Sequence, residues 1–121
     1  MLRGISKNMN MKSQNHNGLD AEIYERQVAI CKAFANPTRL QILDLIAQRG
    51  YPTSDIHEQL SISQANLSQH LAVLKGAGIV TTRREGKKVY CYLALPEVKQ
   101  ACQLIRNVLR AQVRNGRHLS I

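Results

Sequence analysis

The sequence predicts a mainly helical α+β fold, and three features carry that expectation. Residues 60–75, LSISQANLSQHLAVLK, read as the end of a short helix, a tight turn and a second helix with two unlike faces. Directly after them, residues 79–84 and 88–93 are rich in β-branched and aromatic side chains and flank the short turn Glu85-Gly86-Lys87, the pattern of a β-hairpin. Elsewhere, apolar residues recur at helical rather than alternating spacing. A helix-turn-helix followed by a hairpin with a basic tip is the winged-helix arrangement, here with long first and last helices added.

Taken in order, a first helix is expected over residues 20–35, capped by Asp20, with Ile23, Gln27, Ile30, Cys31 and Phe34 on one face. Asn36-Pro37 ends it and starts the next, since Asn is a preferred N-cap and Pro is tolerated at N1. The second helix, residues 37–48, carries Leu40, Ile42, Leu43, Leu45 and Ile46, apolar nearly all round and so expected to be buried. Tyr51-Pro52 reads as an extended link, and Thr53 or Ser54 as the cap of a third helix running to about Leu60. Ser63 caps the fourth, on which Leu67, Leu71 and Leu74 fall at i, i+4 and i+7 in one apolar stripe. Gly76-Ala77-Gly78 end it, because left-handed positions at helix C-termini favour Gly. The hairpin then puts Val89, Cys91 and Leu93 on one face and Tyr90 and Tyr92 on the other. Pro96 opens a last helix to about Asn115, along which Val98, Cys102, Ile105, Leu109 and Gln112 fall near heptad spacing. A stripe of that length needs a partner, and the first helix and a second copy of the chain are the expected ones. The expected dimer face is Ile23, Gln27, Cys31, Val98, Cys102, Ile105 and Leu109.

The chemistry lies on the face of the fourth helix opposite its leucines. At about 100° per residue, Ala65, Ser68, Gln69 and Ala72 point away from the stripe. That face is small, uncharged and rich in hydrogen-bonding groups, as a major-groove reader requires, since Gln and Asn pair bidentately with adenine. An ordinary amphipathic helix explains the face equally well by itself; the hairpin beside it, with Arg83, Arg84, Lys87 and Lys88 at its tip, favours phosphate contact. The expected DNA-contacting set is therefore Ser63, Gln64, Ala65, Asn66, Ser68, Gln69, His70 and Lys75 from the reading helix. Thr53 and Ser54 join it from the third helix, with the four hairpin cations. His70 flanks the apolar stripe and is expected to be structural or to touch phosphate.

Charge agrees with a polyanion partner. The net charge is +9, and residues 75–121 hold ten Lys or Arg against two acids, whereas residues 1–74 hold seven against six. RNA and anionic lipid share that attraction, so charge alone does not choose among them. No nucleophile elbow, phosphate loop or metal-binding helix is present, which argues against an enzyme or a cofactor. No apolar run approaches the roughly 20 residues that span a bilayer, so no membrane partner and a cytoplasmic location are expected. The expected organisation is a disordered polar arm over 1–19, one winged-helix DNA-binding and dimerisation domain over 20–116, and a tail over 117–121.

At this point the chain resembles the ArsR/SmtB family of winged-helix repressors. The carriers are Ala35-Asn36-Pro37-Thr38-Arg39-Leu40-Gln41-Ile42-Leu43 and Leu67-Ser68-Gln69-His70-Leu71-Ala72-Val73-Leu74. Gly78-Ile79-Val80 and residues 84–93 match its wing, and the likeness covers about residues 22–114. It implies a homodimer through the first and last helices, and repression of a double-stranded DNA operator, relieved by an inducer or a modification. Two departures stand out. Pro52-Thr53-Ser54 replaces the Cys-x-Cys of arsenic-type members, and Leu95, Glu97, Val108 and Ala111 hold the places of the zinc-type ligands. No metal site of the standard kinds is therefore expected. Asp55 and His57 are two neighbours only, too few for zinc.

The signal sensed is left open. Three cysteines at wide spacing form no disulfide framework. Cys31 and Cys102 on the two packing helices, with Cys91 in the hairpin, are either core residues, a Cys31–Cys102 thiol switch, or thiolates for a metalloid such as arsenite. A non-specific nucleic-acid architectural protein is the rival function, separated from an operator binder by measured specificity.

Overall fold

In the computed structural model, which describes residues 17–116, the elements run α1 (Asn17–Phe34), α2 (Pro37–Ile46), β1 (Tyr51–Pro52), α3 (Thr53–Leu60), α4 (Gln64–Gly76), β2 (Val80–Glu85), β3 (Lys88–Leu93) and α5 (Pro96–Arg114). The helical and hairpin expectations hold in order. The polar arm expected over 1–19 lies outside the described residues except for its last three, which already belong to α1. Asp20 is therefore no cap but an acid in the first turn, where the helix N-terminus favours negative charge. The tail expected over 117–121 also lies outside the described residues.

Local chemistry explains the helix starts. The Asn36 side chain accepts a hydrogen bond from the Arg39 amide at 3.1 Å, with Pro37 at the first helical position. Ser63 Oγ accepts from the Asn66 amide at 3.0 Å. The cap expected from Thr53 or Ser54 is not made: Pro52, with no hydroxyl, occupies that position and both residues sit inside the first turn of α3. Between α3 and α4 the chain turns through Ser61 in the left-handed region, φ 54°. The Ile62 amide donates to the His57 carbonyl at 3.2 Å, and His57 Nδ1 donates back to the Ile62 carbonyl at 2.9 Å. That pair fixes the turn of the helix-turn-helix.

Tyr51-Pro52 is more than a link. It forms an edge strand, Tyr51 opposite Cys91 and Pro52 opposite Tyr90, in an antiparallel sheet of order β1-β3-β2. Proline is tolerated there because the outer side of an edge strand needs no ladder donor. In the β2–β3 hairpin Glu85 faces Lys88 across a two-residue loop. Gly86 takes φ +66° and Lys87 a negative one, as a type II′ turn requires.

The core gathers under α4. Leu67, Leu71 and Leu74 meet Ile42, Leu43 and Ile46 of α2, Ile56 of α3, Ile79, Val80 and Cys91 of the hairpin, and Val98 of α5. The second helix is less enclosed than its composition suggests, since Leu40 is 37% exposed. Of the apolar residues described on the first helix from Asp20 on, Ala33 is buried and Phe34 half-buried, while Ile23, Tyr24, Val28 and Ile30 are exposed. It rests on α2 and α4, while α5 rests on β3, so the expected packing of the first helix on the last is not a substantial contact within one chain. Among the described residues no helix is long and apolar enough to cross a membrane.

Candidate nucleic-acid interface

The fourth helix turns two faces to different media. Leu67, Leu71 and Leu74 are at most 8% exposed, whereas Gln64, Ala65, Asn66, Ser68, Gln69, Ala72 and Lys75 are exposed. A groove of about 450 Å³ runs alongside, between Gln64, Ser68, Ala72 and Lys75 of α4, Thr53 and Ser54 of α3, and Thr82 and Val89 of the hairpin. Two segments of the predicted contact set, Thr53-Ser54 and the exposed face of α4, thus meet on one concave strip, whose hairpin side is formed by Thr82 and Val89 instead of by the predicted cations. Thr53 and Ser54 belong to it as first-turn hydroxyls, not as caps. Ser63 is exposed, but its oxygen already accepts from the Asn66 amide.

The wing does not present its four cations as one clamp. Residues opposite one another in the hairpin share a face, so Thr82 and Arg84 lie with Cys91 and Val89, and Arg83 lies with Tyr90. Thr82 and Val89 line the groove, which makes Arg84 the groove-side arginine. Arg83 stands on the opposite face, its guanidinium 4.1 Å from the Tyr92 ring centroid and 3.9 Å from Glu85. The Tyr92 hydroxyl donates to the same Glu85 carboxylate, and that bond is the main reason its phenol is held above its ordinary value. Lys88 shares the outer face with Glu85, and Lys87 sits in the turn. Tyr92 stacks on Tyr90 at 6.3 Å and leaves no room over Gly50, where an added Cβ would fall 2.2 Å from the ring. Arg83 is therefore engaged in bracing the wing.

His70 is placed by a residue to which sequence reasoning assigned no role. Arg39 donates from Nε to the Ala33 carbonyl at 2.8 Å and from Nη2 to the Lys32 carbonyl at 3.1 Å, satisfying the end of α1. Its Nη1 lies 3.3 Å from His70 Nδ1, tying α4 to the same point. A guanidinium has no acceptor, so Nδ1 takes the bond and the imidazole stays neutral. Burial first and the Arg39 charge second hold His70 below its ordinary pKa of 6.5. The ring is thus bonded inward, to Arg39.

The expected dimer and sensor residues divide. Val98 is 8% exposed and Cys102 is half-buried, both turned to their own chain's core, so Val98 is not available to a partner. Ile105 and Leu109, one and two turns on, stand 56% and 42% exposed with Leu104 and Val108 beside them. Gln27 and Cys31 are exposed on α1 with Ile23. Cys91 is fully buried, and its thiol is pushed up to about 11, chiefly by desolvation. Cys102 is raised for the same leading reason, with the Asp44 charge second. Among the described residues, no three His, Cys, Asp or Glu side chains cluster as metal ligands.

Comparison with known proteins agrees with this geometry. Residues 36–82 match the family model described as bacterial regulatory protein, arsR family. The transcriptional activator HlyU of Vibrio cholerae is 35% identical over 100 residues, 83% of this chain and 87% of that protein. The biofilm growth-associated repressor of Agrobacterium fabrum is 44% identical over 69 residues, 56% of this chain and 59% of that protein. Among solved structures, the homodimeric winged helix-turn-helix DNA-binding domain of Mb0332 from Mycobacterium bovis, a possible ArsR-family regulator, superposes with a TM-score of 0.77 at 30% identity. It spans 91% of this chain and all of that one.

Proposed function

The chain belongs to the arsR family of bacterial regulatory proteins, and from that premise we propose that this transcriptional regulator is a homodimeric repressor of a two-half-site DNA operator. The observation that carries the reading is the exposed, uncharged face of α4, with Gln64, Ser68 and Gln69 opposite a buried leucine stripe and beside a groove completed by the wing. Gln69 reads base edges from the major groove, Thr53, Ser54 and Arg84 hold phosphates, and Lys87 reaches the backbone from the wing tip. The dimer forms through Ile23, Gln27 and Cys31 of α1 and through Ile105 and Leu109 of α5. Support comes from apolar area left bare in one chain and from the homodimeric relative of like fold. The repressor reading is supported by the Agrobacterium relative named a repressor, while the HlyU relative is named an activator; transcription from a reporter carrying the operator decides the sign.

Duplexes selected from a random pool give the operator. Affinity for it should exceed that for random DNA by about 10³ or more at physiological salt. Gln69→Ala should cost about 1–3 kcal/mol on the selected site and little on random DNA. Equal binding to both, before and after the substitution, would make the chain a non-specific architectural protein.

An inducer releases the operator in this reading. A thiol route draws support at Cys31, which is exposed within one chain and lies on the seam proposed above, so that its modification would act at the dimer contact. A raised pKa disfavours the reactive thiolate at Cys91 and Cys102. An arsenite site needing all three thiolates draws least support, with Cys91 enclosed and Cys31 at the surface. Cys31→Ser decides: loss of oxidative release, with DNA binding retained, supports the thiol route.

A further inference from the structure

The joint between α2 and α5 holds a cavity of about 290 Å³ that the DNA-reading surface does not use. Its apolar lining is Leu43 and Val98, both buried, with half-buried Leu93 and Cys102 and with Ala47, and Gln48 and Gln103 add uncharged polar groups. Its rim carries Asp44 from α2 and Lys99 and Arg106 from α5. Arg106 Nη2 donates to both oxygens of Asp44, at 2.9 and 3.2 Å. Lys99 makes no ion pair among the described residues. Two cations against one carboxylate leave the rim with an excess positive charge. A cationic rim over an apolar floor fits one class of small molecule, an organic acid. The volume lies just below the range of about 300–1,000 Å³ usual for such sites, which suits a compact ligand.

We propose that this cavity binds a small organic carboxylate with a compact apolar body, its acid group between Lys99 and Arg106 and its body on Leu43, Leu93 and Val98. Asp44 is the built-in competitor for the same guanidinium. An incoming carboxylate replaces it on Arg106 and loosens the tie between α2 and α5. Helix α2 packs directly against α4, and the far half of α5 carries the dimer seam in the function proposed above, on which this last step rests. Half-sites read by a dimer lie about one DNA turn apart, so a changed angle between reading head and seam mismatches them. The cavity then serves as an effector site, with the Cys102 side chain part of its lining.

The test uses 3-phenylpropionate and its neutral amide, 3-phenylpropanamide, titrated into the full chain by calorimetry and by backbone amide shifts. The acid should bind saturably, with shifts centred on α2 and α5, and the amide about tenfold or more weaker. Lys99→Ala, on the rim, should weaken the acid and leave the amide unchanged, while Asp44→Asn should tighten the acid by removing its competitor. Opposite signs from two neighbouring substitutions exclude a general loss of folding as the cause. Equal binding of acid and amide, no saturable binding of either, or an unaltered Lys99→Ala variant overturns the site, whatever DNA does. Saturating acid should also weaken operator binding. If the acid binds as stated and operator affinity does not move, the effector role is overturned; if no operator can be selected at all, it is the repressor reading that fails while the site stands.

Discussion

Arg39, on α2, donates its backbone amide to the Asn36 cap and ties two other helices to α2 with one side chain, through two carbonyls at the end of α1 and through His70 on α4. Its partner makes the joint sensitive to pH. Because the folded chain holds His70 below its ordinary value, the unfolded chain binds the extra proton first as pH falls. The stability contributed is therefore complete above about pH 6.5 and is lost as pH falls below it towards the lowered folded value. The melting temperature should drop across that window, and His70→Gln, which keeps an acceptor without a proton site, should flatten the drop. The two wing arginines should separate in a DNA titration. Arg84→Ala should weaken binding to every sequence and reduce the slope of log K against log salt by about one, while Arg83→Ala should leave that slope nearly unchanged. An equal loss of slope from both would show that Arg83 leaves its brace to reach phosphate. Gly50→Ala drives a methyl into the Tyr92 ring and should cost about 1–3 kcal/mol in urea unfolding.

Among the elements, α5 is two structures in series. Its first turns bury Val98 and half of Cys102 in their own core, and its later turns carry Ile105 and Leu109 clear of it. One apolar stripe is thus buried at one end and bare at the other, as in a helix longer than the core beneath it. Substitution distinguishes them: Val98→Ala should lower the stability of the chain by about 1–3 kcal/mol without changing its mass in sedimentation. Ile105→Asp should halve the sedimenting mass and leave the far-ultraviolet spectrum folded, since that side chain is solvent-facing within one chain. A folded wild-type monomer at micromolar concentration would remove the seam. The helical periodicity placed Val98 and Ile105 in one stripe correctly. What periodicity does not contain is where the core ends.

Over the whole molecule, the groove beside α4 is assembled from segments far apart in the chain, with Lys75 in its lining and Arg84 on its side of the hairpin. The excess of Lys and Arg begins at residue 75, yet the groove is lined from Thr53 onward, because β1 brings the start of α3 alongside the hairpin. The order of elements, the caps at Asn36 and Ser63, the buried leucine stripe and the wing were all legible in the chain. Each depends on residues within a few positions of one another, and local spacing and turn chemistry decide them.

Contacts between distant residues were not legible. Tyr51-Pro52 became a strand only because Cys91 and Tyr90 lie opposite it, and Arg39 met His70 across 31 positions. Asp44 met Arg106 across 62, closing a cavity that no motif announces. The division of the wing into a groove-side and an outer arginine followed from register, which Tyr92 and Glu85 then fixed. The sequence by itself determined which segments fold and which face of each is apolar, since those follow from neighbours along the chain. Tertiary structure decided which polar groups are engaged and which remain available, because hydrogen bonds and burial are satisfied by whatever the fold brings near.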